Sequence, residues 1–303
     1  MRYVASCLVL GSLLALAGCS GTFWSVIKKK DDNPIVPAQT PSVAKLVEYL
    51  DLNAQRVQGI RCTDVALNVH QGWKPIPELS CNLACQRPRN FRMQAQLSIA
   101  SSQEVDVGSN NQEFWFWIKR SPQPYQYFCS YQDLTEGRVR ALPFPFQPDW
   151  VMETLGLGTY GPPENYKLTV EPQKLILTRY VKGPQGNTLR KIIVFNRWEA
   201  KGSSPQVTDY LLIDDATNKE VCAAHVLEVQ GNLQTGIVPK RIKLRCTMEE
   251  KTEMTLKLSH VQFNPQMPQE LFVRRPLASG PSIDLATMRP EGQLNGFQRT
   301  GLR

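Results

Sequence analysis

The chain has 303 residues, among them 22 prolines and 19 glycines, and 20% of it is charged. That length and mix suit one large β domain with appendages, and they exclude a collagenous or wholly disordered chain. The net charge of +8 is scattered among strands rather than massed with aromatics along a helix. This argues against nucleic-acid binding and leaves a mild attraction to anionic lipid head groups.

Residues 1–18 read as a targeting segment: Arg2 is a short positive start, Val4 to Leu16 an apolar core, and small residues follow. The segment is short for a membrane-spanning helix, and no later stretch reaches 18 apolar residues. It ends Leu16-Ala17-Gly18-Cys19, which resembles the lipobox of bacterial lipoproteins. The resemblance implies cleavage before Cys19, diacylation of its thiol with palmitate-type chains, and acylation of the new amine. Two or three acyl chains anchor a protein essentially permanently. Ser20, rather than Asp, then follows the anchor, and by resemblance to enterobacterial sorting that favours the outer membrane. Residues 19–40 are polar and proline-punctuated, a flexible tether with Lys28, Lys29 and Lys30 near the lipid surface.

Ser42 suits a helix N-cap, and Val43, Leu46, Val47 and Leu50 fall at amphipathic helical spacing, with Gly59 closing the helix. From Ile60 onward strands dominate. Leu79, Cys81, Leu83 and Cys85 alternate with polar or small residues, Arg87-Pro88-Arg89-Asn90 breaks the run, and Phe91, Met93, Ala95, Leu97 and Ile99 alternate again. Gly108-Ser109-Asn110-Asn111 reads as a turn, and Phe114 to Ile118 is apolar on both faces. Such a strand is either covered twice or lines a cavity that holds something apolar. Tyr125 to Tyr131 continues this meander.

Residues 133–161 read as a helical and loop interruption, with Pro148 starting a helix whose apolar side holds Trp150, Val151 and Leu155. A second series of strands runs from Tyr166 to Phe263, with hairpin turns at Gly183–Asn187 and Asp214–Asn218. The total is roughly eleven or twelve antiparallel strands. Residues 276–303 lack periodicity and read as a flexible tail.

Setting aside Cys7 and Cys19 leaves Cys62, Cys81, Cys85, Cys129, Cys222 and Cys246, each within an expected strand. They read as small buried core residues, with one or two cross-strand disulfides left open. No cysteine or histidine spacing suits a metal, and His70, His225 and His260 read as ordinary sheet residues. No catalytic constellation stands out, Asp214 and Asp215 being turn residues. The expectation is therefore a protein that is not an enzyme and needs no cofactor.

The order helix, strands, helical interruption, strands resembles the LolA/LolB-like family of lipoprotein-sorting proteins. Three stretches carry the likeness: Cys85-Gln86-Arg87-Pro88-Arg89-Asn90-Phe91, Val107 to Trp117, and Phe263-Asn264-Pro265 to Leu271-Phe272. It covers residues 42–275, so the domain is set at residues 41–275. The resemblance implies a mainly β (α+β) fold: an unclosed antiparallel β-barrel whose concave apolar face is capped by helices and takes acyl chains. The arginine of the Arg-Pro step maps to Arg87, a residue that holds the lid closed in the carrier branch. Cys19 departs from the soluble carriers and is closer to the anchored acceptor and the LppX-like anchored mycobacterial lipid carriers.

Candidate cavity residues are Phe91, Met93, Phe114, Trp115, Phe116, Trp117, Phe128 and Ile193, and the opposing reading makes them a dry core. The expected function is a membrane-anchored lipoprotein of the cell envelope, at the outer membrane and facing the periplasm, that binds acyl lipids or lipoprotein acyl chains for sorting or transport. The alternative is an envelope interaction or sensor protein that uses the same fold to bind a protein partner.

Overall fold

The computed structural model describes residues 40–71, 74–98, 102–121, 123–139, 142, 148–183, 186–247, 251–277 and 280–288. The targeting segment, Cys19, nearly all of the tether and residues 289–303 lie outside them.

Helix α1 (Val43–Arg56) opens the described chain, its N-cap Ser42 accepting from the Lys45 amide. Leu46, Val47 and Leu50 turn inward, as the spacing predicted, joined by Ala54, while Val43 is only half-buried. The helix stops before Gly59, which is already the first residue of strand β1 (Gly59–Gln71). The first meander follows: β2 (Lys74–Pro75), β3 (Leu79–Gln86), β4 (Asn90–Leu97), β5 (Gln103–Ser109), β6 (Glu113–Ile118) and β7 (Gln126–Ser130). Gly108 and Ser109 close strand β5 and pair with β6, so the turn is shorter than the sequence suggested. Tyr131 leaves the strand run as well. Ser130 caps a short helix, α2 (Tyr131–Thr135), by accepting from the Asp133 amide.

The interruption supplies α3 (Pro148–Met152) and a wide helical turn, Glu153–Leu157. The second series comprises β8 (Lys167–Val170), β9 (Lys174–Lys182), β10 (Thr188–Asn196), β11 (Val207–Asp214), β12 (Glu220–Asn232), β13 (Gly236–Thr247), β14 (Lys251–Ser259) and β15 (Gln262–Phe263). His260 sits in the turn between the last two with a positive φ of 52°, not in a strand. A further strand, β16 (Ser282–Asp284), runs parallel to β7. Within the tail expected to be loose from residue 276, residues 280–288 are described, and Ile283 and Leu285 there supply apolar side chains to the aromatic edge of the meander.

The result is a mainly β structure, a large, curved, unclosed antiparallel sheet with few helices, as the family resemblance implied. The order across the sheet is β16-β7-β6-β5-β4-β3-β1-β14-β13-β12-β11-β10-β9-β8. Sixteen strands occur among the described residues, more than expected, in part because β2, β15 and β16 are two or three residues long. The two meanders meet where β14 returns to β1, pairing Asp64 through Gln71 with Ser259 through Thr252.

Register fixes the faces, because side chains alternate along a strand and align across a ladder. One row runs Ile60, Cys85, Phe91, Ser109, Phe114 and Cys129. This face joins the main core, where α1 and the 150–160 segment pack against Leu175, Leu177, Ile193, Phe195, Ile242 and Leu258. Phe114 and Phe116 stand at its edge in a second cluster with Tyr127, Tyr131, Leu134 and Leu285. The opposite face carries Ala84, Arg92, Gly108, Trp115 and Phe128 in one row. There residues 267–274 cover the strands: Met267 and Phe272 pack on Ala84, the Arg92 guanidinium donates to the Val273 carbonyl at 3.0 Å, and Arg274 lies 3.8 Å over the Phe128 ring. Gly108 is required in this row. A Cβ there would stand 2.2 Å from the Trp115 ring.

Candidate ligand-binding site

Polar pins hold the helical cap on the concave face. Asn53, on α1, donates to the carbonyls of Ile237 (2.9 Å) and Gly156 (3.4 Å) and accepts from the Ile237 amide (2.7 Å). Gly156 takes a φ of 87° to turn the chain there. The Tyr160 carbonyl accepts from both the Tyr166 hydroxyl and Arg179, each at 2.7 Å. Asn264 stitches the end of α1 to the start of β1: its side chain accepts from the Gln58 and Gly59 amides and donates to the Arg56 carbonyl.

Arg87 lies at the same junction. Its guanidinium donates to the Ala54 carbonyl at 2.8 Å, one of the four C-terminal carbonyls that a helix leaves unpaired, and to the Thr159 hydroxyl at 3.4 Å. It thus touches both parts of the cap, α1 and the 148–160 segment.

Between the 148–160 segment and the two meanders opens a cleft of about 540 Å³. Pro88, Arg89 and Asn111 face it from the first meander, while Arg179, Val181, Lys182, Leu189, Lys191 and Leu212 face it from the second. Trp150, Met152 and Leu157 add apolar surface from the cap. Arg89 binds Asp149 at 3.1 Å and stands 4.1 Å over the Tyr131 ring. Lys191 is ion-paired to Glu153, whose other oxygen, Oε1, is buried without a hydrogen-bond partner among the described residues. Burial pushes the Asp149 carboxyl above its ordinary value, against the pull of Arg89. The cleft thus lines apolar surface with four cations and two carboxylates, an arrangement suited to a ligand with an apolar body and an anionic group.

The eight residues expected to line a cavity fall in three separate places. Trp115, Trp117 and Phe128 project to the opposite face, where Trp115 is fully buried against Gly108 and the Trp117 indole donates to the Pro124 carbonyl. Trp115 and Trp117 stand on a strand apolar on both sides, which gives no parity signal, whereas Phe128 alternates with Tyr127 and Cys129 on β7. Phe114 and Phe116 face inward but are covered by α2 and Leu285, and Phe91 and Ile193 are buried in the main core with Met93 packed beside them. None of the eight lines the cleft. Its charged residues come from distant parts of the chain, but one signal could have found two of them. Arg179 follows Leu175 and Leu177 at period two, and Lys191 stands between Leu189 and Ile193. A cation on an otherwise apolar inward row marks an opening.

Asp209 and Thr208 on β11 meet His225 on β12. The His225 ring nitrogen stands 2.5 Å from Asp209, and Thr208 donates to the same carboxylate at 2.6 Å. His225 thus gains an acidic neighbour from the adjacent strand that its own segment did not show. Among the described residues no group of three or more His, Cys, Asp or Glu side chains could hold a metal, and no helix is long and apolar enough to cross a membrane.

No protein-family model matches the sequence, and no curated protein matches it either. The structure is similar to that of a LolA superfamily protein from Nitrosomonas europaea, with 9% identity, coverage of 76% of this chain and 97% of that one, and a TM-score of 0.47. It is also similar to a domain described as an outer membrane lipoprotein-sorting protein from Vibrio parahaemolyticus, with 11% identity, the same coverages and a TM-score of 0.47. A DUF1329 family protein from Desulfovibrio piger is similar at 8% identity, over 77% of this chain and 98% of that one, with a TM-score of 0.36. At these values the likeness transfers no ligand, activity or location to this chain.

Proposed function

We propose that this protein binds an acyl-chain amphiphile in the cleft between the 148–160 segment and the two meanders, and that it is not an enzyme. One observation carries the reading: a cleft of about 540 Å³ walled by Trp150, Met152, Leu157, Leu189 and Leu212 opens beside Arg89, Arg179, Lys182 and Lys191. Apolar walls contribute on the order of 0.8 kcal/mol per buried methylene, so an acyl chain needs few polar contacts. The cations take a carboxylate or phosphate head, and a donor on the ligand reaching Glu153 satisfies its unpaired oxygen. In this reading the lipobox at Leu16–Cys19 anchors the chain at the outer membrane, facing the periplasm, and the cargo is an acyl lipid or a lipoprotein's acyl chains.

The test uses the full chain carrying Cys19→Ala and a pyrene-labelled 16-carbon fatty acid. Saturable binding should weaken tenfold or more in Val181→Glu and in Lys182→Glu, with Lys201→Glu, outside the cleft, unchanged. Absence of saturable binding, or equal binding by all four proteins, would refute the reading.

A further inference from the structure

We propose that Cys222 and Cys246 are a covalent modification site, joined as a disulfide across strands β12 and β13. The two residues are direct partners in the antiparallel ladder, and their sulfurs stand 3.3 Å apart. Directly opposed positions place Cβ atoms about 4.5–5.5 Å apart, so closing to the 3.5–4.5 Å of a disulfide needs only a small adjustment of the two side chains and strands. Both are inside the core, Cys222 at 0% and Cys246 at 2% exposure.

The other four described cysteines have no such partner. Cys62 donates to the Ser259 carbonyl at 2.7 Å, and Cys129 to the Ser130 carbonyl at 3.1 Å. Cys81 stands between Val65 and Ala95, and Cys85 between Ile60 and Phe91, with no cysteine opposite either. Burial pushes the Cys81 and Cys129 thiols up to about 12, which keeps them protonated and unreactive.

The bond forms by exchange with a small-molecule or protein disulfide such as glutathione disulfide. One thiolate attacks it and expels one thiol, the second attacks the protein sulfur of the resulting mixed disulfide and expels the other, and the acceptor leaves as two thiols with the two electrons and two protons. In the closed hairpin the Cys222 thiol is pushed far up by its hydrogen bond with Cys246 and by burial. Exchange therefore belongs to the time before the hairpin is covered, and the folded protein then shields the bond from reductant. The pair lies behind the cleft wall: the ladder row Arg179, Lys191, Leu212, whose members line the cleft, continues to Cys222 and Cys246, which do not.

The test takes the full chain in two samples, one exported to an oxidising compartment and one refolded from urea in a glutathione redox buffer. Each is denatured, alkylated with iodoacetamide without reduction, then reduced and labelled with N-ethylmaleimide before peptide mapping. The second label should fall on the Cys222 and Cys246 peptides in most molecules of both samples, with Cys62, Cys81, Cys85 and Cys129 carrying the first. Iodoacetamide on Cys222 and Cys246 in both samples, or the second label on another pair, overturns the proposal. As an independent readout, reductant should lower the urea midpoint of the wild-type chain and leave that of Cys222→Ser/Cys246→Ser where it was. An equal response from the two chains would also overturn it.

Discussion

On the face away from the cap, Arg92 and Asp106 form an ion pair of 2.6 Å with side chains only 6% and 7% exposed. Burial raises the Asp106 carboxyl and lowers the Arg92 guanidinium from their ordinary values, and each charge holds the other ionised against that pressure. Breaking such a pair leaves one uncompensated buried charge, which typically costs about 3–5 kcal/mol, whereas replacing both by apolar groups is far milder. Asp106→Ala should therefore lower the unfolding free energy by about 3–5 kcal/mol in urea titrations. Arg92→Leu with Asp106→Leu should lose markedly less than the single variant. The pair also explains part of what the sequence concealed. Asp106 sits in Val105-Asp106-Val107, a plain alternating strand, yet its polar side is not the solvent side, because residues 267–274 return to cover it. Nothing local to β5 announces a contact more than 160 residues away.

At the scale of elements, the alternation of β3 and β4 and the helical spacing of α1 were legible because one buried face writes its period directly into the residues. The aromatic strand β6 was legible as a strand and illegible as to side, since Phe114 and Trp115 are equally apolar. The glycine opposite Trp115 was the available clue. The C-terminal segment was not legible at all, because three paired residues are too few to show a period. Its weight is nonetheless measurable: Leu285 is 2% exposed among Phe114, Phe116, Tyr127 and Tyr131. Leu285→Ala should cost about 2–5 kcal/mol, the range for emptying a leucine site in a core. A chain ending at residue 277 should bind the dye ANS strongly, since that cluster and the edge of β7 are then uncovered; dye binding no stronger than wild type would show that β16 is dispensable.

For the molecule as a whole, acid stability depends on carboxylates whose protons are held differently once folded. Asp209 is one such group: burial alone would raise it, but the hydrogen bonds from His225 and Thr208 win and hold it below its ordinary 3.8. A folded value lower than the unfolded one means that this stabilisation is complete above the unfolded value. It is lost as pH falls from about 3.8 through the folded value. Asp209→Asn should consequently melt lower than wild type at neutral pH, with the gap in Tm narrowing below pH 4. A gap that stays constant across that range would show that the pair contributes no such linkage. The cleft, by contrast, is a property only of the assembled sheet, since Arg89 and Lys191 are brought to one opening by strands that lie on either side of the β1–β14 seam.

Among the described residues the sheet has one border whose neighbour is parallel, and that neighbour is β16, made after every other described strand. A ribosome or an export channel delivers the chain from its first residue onward, so among the described strands β7 and its aromatic cluster are the last to gain a partner. Until Ser282–Asp284 arrives, the unfinished molecule offers an open hydrogen-bonding rim beside Phe114 and Phe116 to any neighbouring chain. The short final strand is thus a closing step in biogenesis. Among the described strands it is the last pairing to be made, and it matters by its position in time rather than by its size.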